Sequence, residues 1–404
     1  MSSRRRTYKL ALLGSLYVSQ YISLMFFVQA LPVFMRQQGA SLEAIGLIYL
    51  LGLPLLLKVL WSPWIDRYGY TRWGHYRFWI VAFQLLLAGV SILCAFVSPQ
   101  TNFSLLFSLL MVMATLASSQ DIATDALAVG LLAPSERGWG NGIQMAGNYL
   151  GAMLGGGVML MLLTQWGWQR SLLALALMMI IALIPILQHQ EHPHKDHTKH
   201  EGPVWVDLVN VYRRKGMGHW LMLLTLYIAG GSMAEGMFRP LLVDIGLSLA
   251  DIGWLLGVVG NGSSIVGAVV SGLLVVPLGR KRSLIIFAGL QTVAILTYLL
   301  PALGVDYRFI LYCVVVITSF ANGAIYTVSS TVMMDKSQLA AAGTEYTAQT
   351  SIVYLGGFMA AGISGVLAAN IGYHGVFGVS ALVTLLTIFL MSRTPSLDVG
   401  QNDD

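Results

Sequence analysis

The sequence predicts an all-α membrane protein of about twelve transmembrane helices, arranged as two pseudo-symmetric six-helix halves. Three observations carry that prediction. Only 10% of the 404 residues are charged while 56% are hydrophobic, the chain resolves into long apolar runs, and features of the first half recur in the second at a nearly constant offset. A soluble domain carries about 25% charged residues. A surface this poor in charge cannot be wetted, so lipid must be the solvent, in keeping with a mean hydropathy of +0.72. Twelve helices of roughly 20 residues with short loops consume the length and leave no room for a separate soluble domain.

The apolar runs centre near residues 20, 54, 87, 115, 150, 178, 229, 263, 293, 320, 357 and 383. Each is long enough to span, and in lipid such a run must be helical to satisfy its own backbone. The first follows Arg4-Arg5-Arg6. It is too long for a signal-peptide core and lacks a cleavage site, so it is read as a retained first span. An even number of spans puts both termini on one side. That side holds 18 Lys and Arg residues and the opposite loops hold 4, namely Arg36, Arg170, Arg239 and Arg308. The imbalance places both termini in the cytoplasm.

The longest polar loop separates an N-terminal half, 1–188, from a C-terminal half, 218–404. This linker, 189–217, carries His189, His192, His194, His197 and His200. These histidines have no helical partner set with an acid, so a solvated linker is expected rather than a metal site. The halves repeat. Ser41-Leu42-Glu43-Ala44-Ile45-Gly46 matches Ser248-Leu249-Ala250-Asp251-Ile252-Gly253, and Gly138, Gln144, Tyr149, Leu150 and Gly151 match Gly343, Gln349, Tyr354, Leu355 and Gly356. Arg67 and Arg72 correspond roughly to the Gly279-Arg280-Lys281-Arg282 turn. Parallel repeats of this kind put a substrate site near the midplane, between the halves.

Ionisable side chains inside a span are costly and mark a pathway or a buried pair. Lys58, in the second span, and Asp121, in the fourth, lie at depths of roughly 10 and 13 Å at 1.5 Å per helical residue. At similar depth and of opposite sign, they are expected to pair. The pair is either a static ion pair or one that titrates during transport, in which case Asp121 is the expected proton carrier and Lys58 its charge partner. Asp66, Arg67, Arg72, Asp125, Glu136 and Arg137 are expected to form a cytoplasmic ion-pair cluster that acts as a gate. Glu235 and Arg239 are spaced i, i+4 toward the outer end of the seventh span. Gly230-Gly231 and Pro240 flank them, so that span is expected to be interrupted. The pair is either an interfacial salt bridge or a contact for a charged substrate. Gln29, Gln144, Asn148, Asn322, Tyr326, Gln349 and Tyr354 are the other polar groups expected to line a central cavity.

Glycines crowd the fifth, eighth and eleventh spans, where small faces let helices approach and slide. No GxxxxGK[ST] follows them, and the chain has no nucleophile elbow, zinc motif or catalytic carboxylate pair. An enzyme is therefore not expected, nor a cofactor. Cys94 and Cys313 sit in apolar runs of different halves and read as core residues. The net charge of +5 is dispersed between spans, which speaks against a nucleic-acid partner. The expected partners are a small-molecule substrate and the bilayer, with the protein a monomer.

Several segments carry a family resemblance. They are Leu31-Pro32-Val33-Phe34-Met35-Arg36-Gln37-Gln38-Gly39, Pro54 through Lys58-Val59-Leu60-Trp61-Ser62-Pro63-Trp64-Ile65-Asp66-Arg67, and Gln120-Asp121-Ile122-Ala123-Thr124-Asp125-Ala126 followed by Pro134-Ser135-Glu136-Arg137-Gly138. Together with the two six-helix halves, these segments resemble the AmpG-like branch of the major facilitator superfamily. That branch includes muropeptide permeases, acetyl-CoA transporters and RhtX/FptX-type siderophore permeases. The run from Gln37 to Asp66 looks most like the siderophore group. The resemblance implies a major facilitator fold and proton-linked import of an iron–siderophore across the bacterial inner membrane, with muropeptide import as the alternative. The fifth span lacks the Pro-containing motif of drug/proton antiporters, which argues against efflux. A non-transporting receptor on the same fold would not need mid-depth charges such as Lys58 and Asp121.

The orientation is testable directly. A reporter active only in the cytoplasm is expected to work when fused after Gly202 and to be silent near Gln100; the reverse pattern would invert the topology.

Overall fold

The computed structural model describes residues 3–37, 47–69, 71–99, 101–191 and 204–394. Among these residues the chain is helix joined by short turns, with one isolated bridge, Thr71 to Gly74. In chain order the helices are α1 (Arg6–Arg36), α2 (Leu50–Leu60), α3 (Ser62–Arg67), α4 (Tyr76–Ala95), α5 (Phe103–Leu131) and α6 (Arg137–Gln188). After the linker come α7 (Trp205–Arg213), α8 (Met217–Asp244), α9 (Ala250–Leu278), α10 (Arg280–Ala302), α11 (Arg308–Lys336) and α12 (Leu339–Arg393).

Nine of these described helices are long and apolar enough to cross a membrane, against the twelve or so expected. The difference has physical causes. At 52 and 55 residues, α6 and α12 would each reach about 80 Å if straight, well over twice a hydrocarbon core. Each is broken at a glycine, Gly167 with φ 76° and Gly372 with φ 70°, a conformation that side-chain-bearing residues avoid. The second expected span is fragmented: α2 alternates 3-10 and α-helical turns, and Ser62-Pro63 opens α3 after a break at Trp61.

Two further expectations change. The seventh span is not interrupted. Met217–Asp244 is one helix with Pro240 inside it. Gly230 and Gly231 serve packing instead: a Cβ at Gly230 would lie 2.8 Å from the Ser380 carbonyl oxygen, and one at Gly231 would strike the Gln291 amide. Irregularity appears elsewhere, as wide π-helical turns at Phe26–Ala30 in α1, Met153–Val158 in α6 and Gly253–Gly260 in α9. The linker, expected to be solvated loop, contains helix α7. His192, His194, His197 and His200 lie outside the described residues.

The chain forms two compact units. The first comprises residues 1–131, 147–210 and 337–351, the second 132–146, 211–336 and 352–404. The first contains two apolar clusters, one around Phe26, Phe27, Phe34, Met113 and Leu163, the other around Leu12, Ile80, Ile122 and Ile186. Phe238, Tyr298 and Phe377 stack in sequence at the centre of the second, with ring centroids 4.2 and 5.2 Å apart. Lipid is as apolar as these side chains, so close packing and internal hydrogen bonds must hold the helices together. Gln84 shows the second device. Its amide donates to Ser19 Oγ (2.5 Å) and the Met179 carbonyl (2.9 Å), and its Oε1 accepts from Gln120, tying α4 to α1, α6 and α5.

Glycine supplies the first device where α6 meets α9 in the second unit. A Cβ at Gly142 would lie 2.9 Å from the Ala268 carbonyl oxygen, and one at Gly272 would lie 2.8 Å from the Gly138 carbonyl oxygen. Backbone cannot yield as a side chain can. Gly142→Val and Gly272→Val are each expected to destabilise the purified protein by about 1–3 kcal/mol, read as a lower melting temperature in detergent. Gly289→Ala, whose added Cβ meets nothing within 4 Å, is the matched control and should leave it unchanged. Equal behaviour of the three variants would show that this contact does not hold the helices.

Candidate functional site

The fragmentation of α2 sets the position of its lysine. Lys58 opens the last 3-10 turn of α2, and its side chain is 1% exposed. Its ammonium pairs with the Asp121 carboxylate on α5. Trp61 Nε1 donates to Ser119 Oγ at 3.0 Å, so the end of α2 is fastened to α5 at two successive levels. One turn along α5, Asp125 is 3% exposed and accepts from the Tyr17 hydroxyl at 2.8 Å. It therefore lies in the interior with α1, not in a cytoplasmic charge cluster.

The six expected gate residues separate into distinct contacts. Asp66, in α3, accepts from the Tyr76 hydroxyl (2.8 Å) and from the backbone N–H groups of Gly343 (3.0 Å) and Thr344 (2.7 Å). Those two donors belong to the first turn of the α-helix that begins at Ala342, where N–H groups have no intrahelical partner. A carboxylate there satisfies them and meets the positive end of the helix dipole. Gly343 permits the approach, since a Cβ would lie 2.6 Å from Asp66 Oδ1. Burial pushes the Asp66 carboxyl above the ordinary carboxylate range, against the pull of the hydrogen bonds from Thr344, Tyr76 and Gly343. Arg67 pairs with Asp207 of α7 at 3.1 Å, and Arg72 is exposed.

Arg137 belongs to the other unit. Its Nη1 lies 2.9 Å from Asp335 Oδ1, at the end of α11, while Arg280 Nε lies 2.6 Å from Asp335 Oδ2. Arg280 also donates to the Pro134 carbonyl at 2.7 Å. All three side chains are nearly buried, Asp335 at 2% exposure. Glu136 accepts from its neighbour Ala133 N–H. Asp335, Arg280 and Asp207 were missed as partners. Arg280 counted toward orientation and the internal repeat, but not as an ion-pair partner.

Of the expected binding residues, the structure brings three together. Glu235 and Arg239 face each other along α8 at 3.8 Å, both about half exposed, and Asn322 of α11 donates to Glu235 Oε2 at 3.0 Å. Tyr326, one turn on from Asn322, and Tyr354 of α12 are half-buried in the same unit, where Gln144 is buried. Gln29, in the first unit, is exposed on its π-helical turn against Gly156 of α6, while Asn148 is buried. Gln349 is fully buried and its amide donates to Ser337 Oγ and the Glu345 carbonyl, both at 3.1 Å. Both its N–H groups are thus taken up by the protein.

The Asp335 contact yields a ranked expectation. Asp335→Ala leaves two nearly buried guanidinium groups facing each other and should cost about 3–5 kcal/mol of stability. Arg137→Ala should cost less, because Arg280 still neutralises Asp335. Thermal unfolding in detergent checks the order, and an Arg137→Ala loss equal to that of Asp335→Ala would show that the two arginines do not share the charge.

Comparison with known proteins agrees with the layout described above. The anhydromuropeptide permease of Escherichia coli K12 is 31% identical over 265 residues, covering 65% of this chain and 54% of that one, so the chain spans about half the permease's length. The protein named AmpG 3 of Rickettsia prowazekii is 24% identical over 384 residues, covering 91% of this chain and 90% of its own. The crystal structure of the transporter FucP in the outward conformation superposes with a TM-score of 0.71 at 13% identity, covering 95% of this chain and 99% of FucP, and shows the shared fold alone. Since the family profile of the Major Facilitator Superfamily matches residues 13–361, most of the helical run built around these contacts, the chain belongs to that superfamily of membrane transporters.

Proposed function

We propose that this chain is a proton-linked importer of the bacterial inner membrane with both termini cytoplasmic, and that its substrate is a peptide-bearing saccharide of the muropeptide class. The observation that carries the substrate class is the Glu235–Arg239–Asn322 set. A carboxylate and a guanidinium, half exposed and held side by side, suit a ligand that carries both amino and carboxyl groups. Asn322 fixes one Glu235 oxygen and leaves the other, with the Arg239 fork, to meet the ligand. The similarity to the E. coli permease supports the same class. Iron–siderophore import stands as a second reading, favoured by the resemblance of the run from Gln37 to Asp66 to that group. In either case, Asp121 carries the coupling proton in this proposal, with Lys58 as its charge partner.

One proteoliposome experiment tests both parts. Under an imposed proton gradient, wild-type protein should accumulate labelled anhydromuropeptide, and unlabelled iron–siderophore should not compete. Glu235→Gln and Arg239→Gln should each raise the half-saturating concentration by about tenfold or more, the loss of one charge-assisted hydrogen bond. Asp121→Asn should abolish accumulation yet preserve exchange of substrate across the vesicle membrane. Uptake of iron–siderophore alone would transfer the substrate to the second reading. Driven uptake in Asp121→Asn with the wild-type pH dependence would remove that residue from coupling and leave the Lys58–Asp121 pair as structural.

A further inference from the structure

Helix α7 lies in the linker, four residues before the span that opens at Met217. Its side chains divide sharply. Trp205, Val206, Val209 and Tyr212 are each 39–45% exposed, and residues 205, 209 and 212 recur at i, i+4 and i+7 on one stripe. The opposite side is turned to the protein. Val211 is 3% exposed, and Asp207, the helix's one acid, is neutralised by Arg67 at 3.1 Å. Trp205 also meets Trp64 of α3 edge-on, with ring centroids 4.7 Å apart. The charges left facing outward are basic: Arg213 closes the helix and Lys215 follows it, both exposed.

We propose that α7 is an interfacial helix: its Trp205–Val206–Val209–Tyr212 face lies in the cytoplasmic leaflet of the bilayer, with Arg213 and Lys215 on the phosphates of anionic lipids, and Arg67–Asp207 and Trp64–Trp205 tie the Asp66 turn to that surface. Three things on the helix select lipid as the occupant. Its C-terminal end is held close to the start of a membrane span, so the helix lies at the level of the headgroups. Tryptophan and tyrosine are the side chains that prefer this boundary. The inward acid and outward bases leave a positive rim around an apolar stripe, the pattern of a helix lying in the interface of an anionic membrane. The helix stands next to α3, whose Asp66 caps the helix start at Gly343 and Thr344. Lipid that holds α7 therefore also holds the turn on which that cap depends.

Site-directed spin labelling of the full chain tests this. In a background with Cys94→Ala and Cys313→Ser, single cysteines at Val206, Val209, Asn210 and Tyr212 are labelled, and the protein is reconstituted into vesicles of phosphatidylcholine and phosphatidylglycerol. Labels at 206, 209 and 212 are expected to collide several-fold more with oxygen than with a water-soluble nickel chelate, and the label at 210 to show the reverse. In vesicles of phosphatidylcholine alone, or with Arg213→Gln and Lys215→Gln together, the three apolar-face labels should lose part of that preference. Nickel-accessible labels at all four sites would overturn the proposal, because the face would then be in water. Labels at 206, 209 and 212 protected from both reagents would overturn it too, because protein and not lipid would cover the face. Exposed labels that leave the elution volume of the purified protein unchanged keep the readout independent of folding.

Discussion

Polar groups inside a bilayer have only the protein to bond to, and that constraint organises everything described above. A lysine at 1% exposure is tolerable because a carboxylate receives it. Two arginines tolerate near burial because they share Asp335. The orphan N–H groups at the start of a helix are tolerable because Asp66 reaches them. In each case the cost of an unpaired charge or donor is several kcal/mol, larger than the packing preference of any one contact. The helices are thus fastened at a few polar points and fitted elsewhere by small residues.

These fastenings differ between the two repeats. In the first, Asp66-Arg67 follows the second span; at the corresponding place in the second stand Gly279 and Arg280. Without a carboxylate at 279, the second repeat cannot cap a helix start in the manner of Asp66. It uses Arg280 to grip the Pro134 carbonyl and shares Asp335 between Arg280 and Arg137. Residues 132–146 come from the first sequence half yet belong to the second compact unit, and residues 337–351 do the opposite. Both fastenings therefore join one sequence half to the other. Parting the sequence halves within the first unit breaks a carboxylate–backbone cap, and within the second an ion-pair triad. The cap is weakened by protonating Asp66, whose burial already favours the neutral form.

Much of this was legible in the sequence wherever a single variable decided it. The membrane class followed from charge content, and the Lys58–Asp121 contact from similar depth and opposite sign. The approach of Glu235 and Arg239 followed from i, i+4 spacing. What escaped depended on more than one element. The six expected gate residues were grouped because each lies toward the cytoplasmic face, whereas the fold sends Arg137 to Asp335, nearly 200 positions away, and Asp125 inward to Tyr17. Gly230-Gly231 and Pro240 suggested a broken helix because composition does not reveal that neighbouring helices fill the space a missing Cβ leaves. Gln349 looked like a cavity residue, but its amide is used up by Ser337 and its own helix, a fact that turns on side-chain direction.

The two members of the buried pair differ in how far water can reach them. Lys58 is 1% exposed and Asp121 18%, so access to the pair runs through the carboxylate. Asp125, 3% exposed and bonded to Tyr17, lacks that access in this conformation. A carboxylate left without its cation in an apolar interior is costly, which is why the proposed coupling makes Lys58 the partner of Asp121. The lysine, fully enclosed, is therefore the charge partner in the proposed coupling, and Asp121 the member that carries the proton.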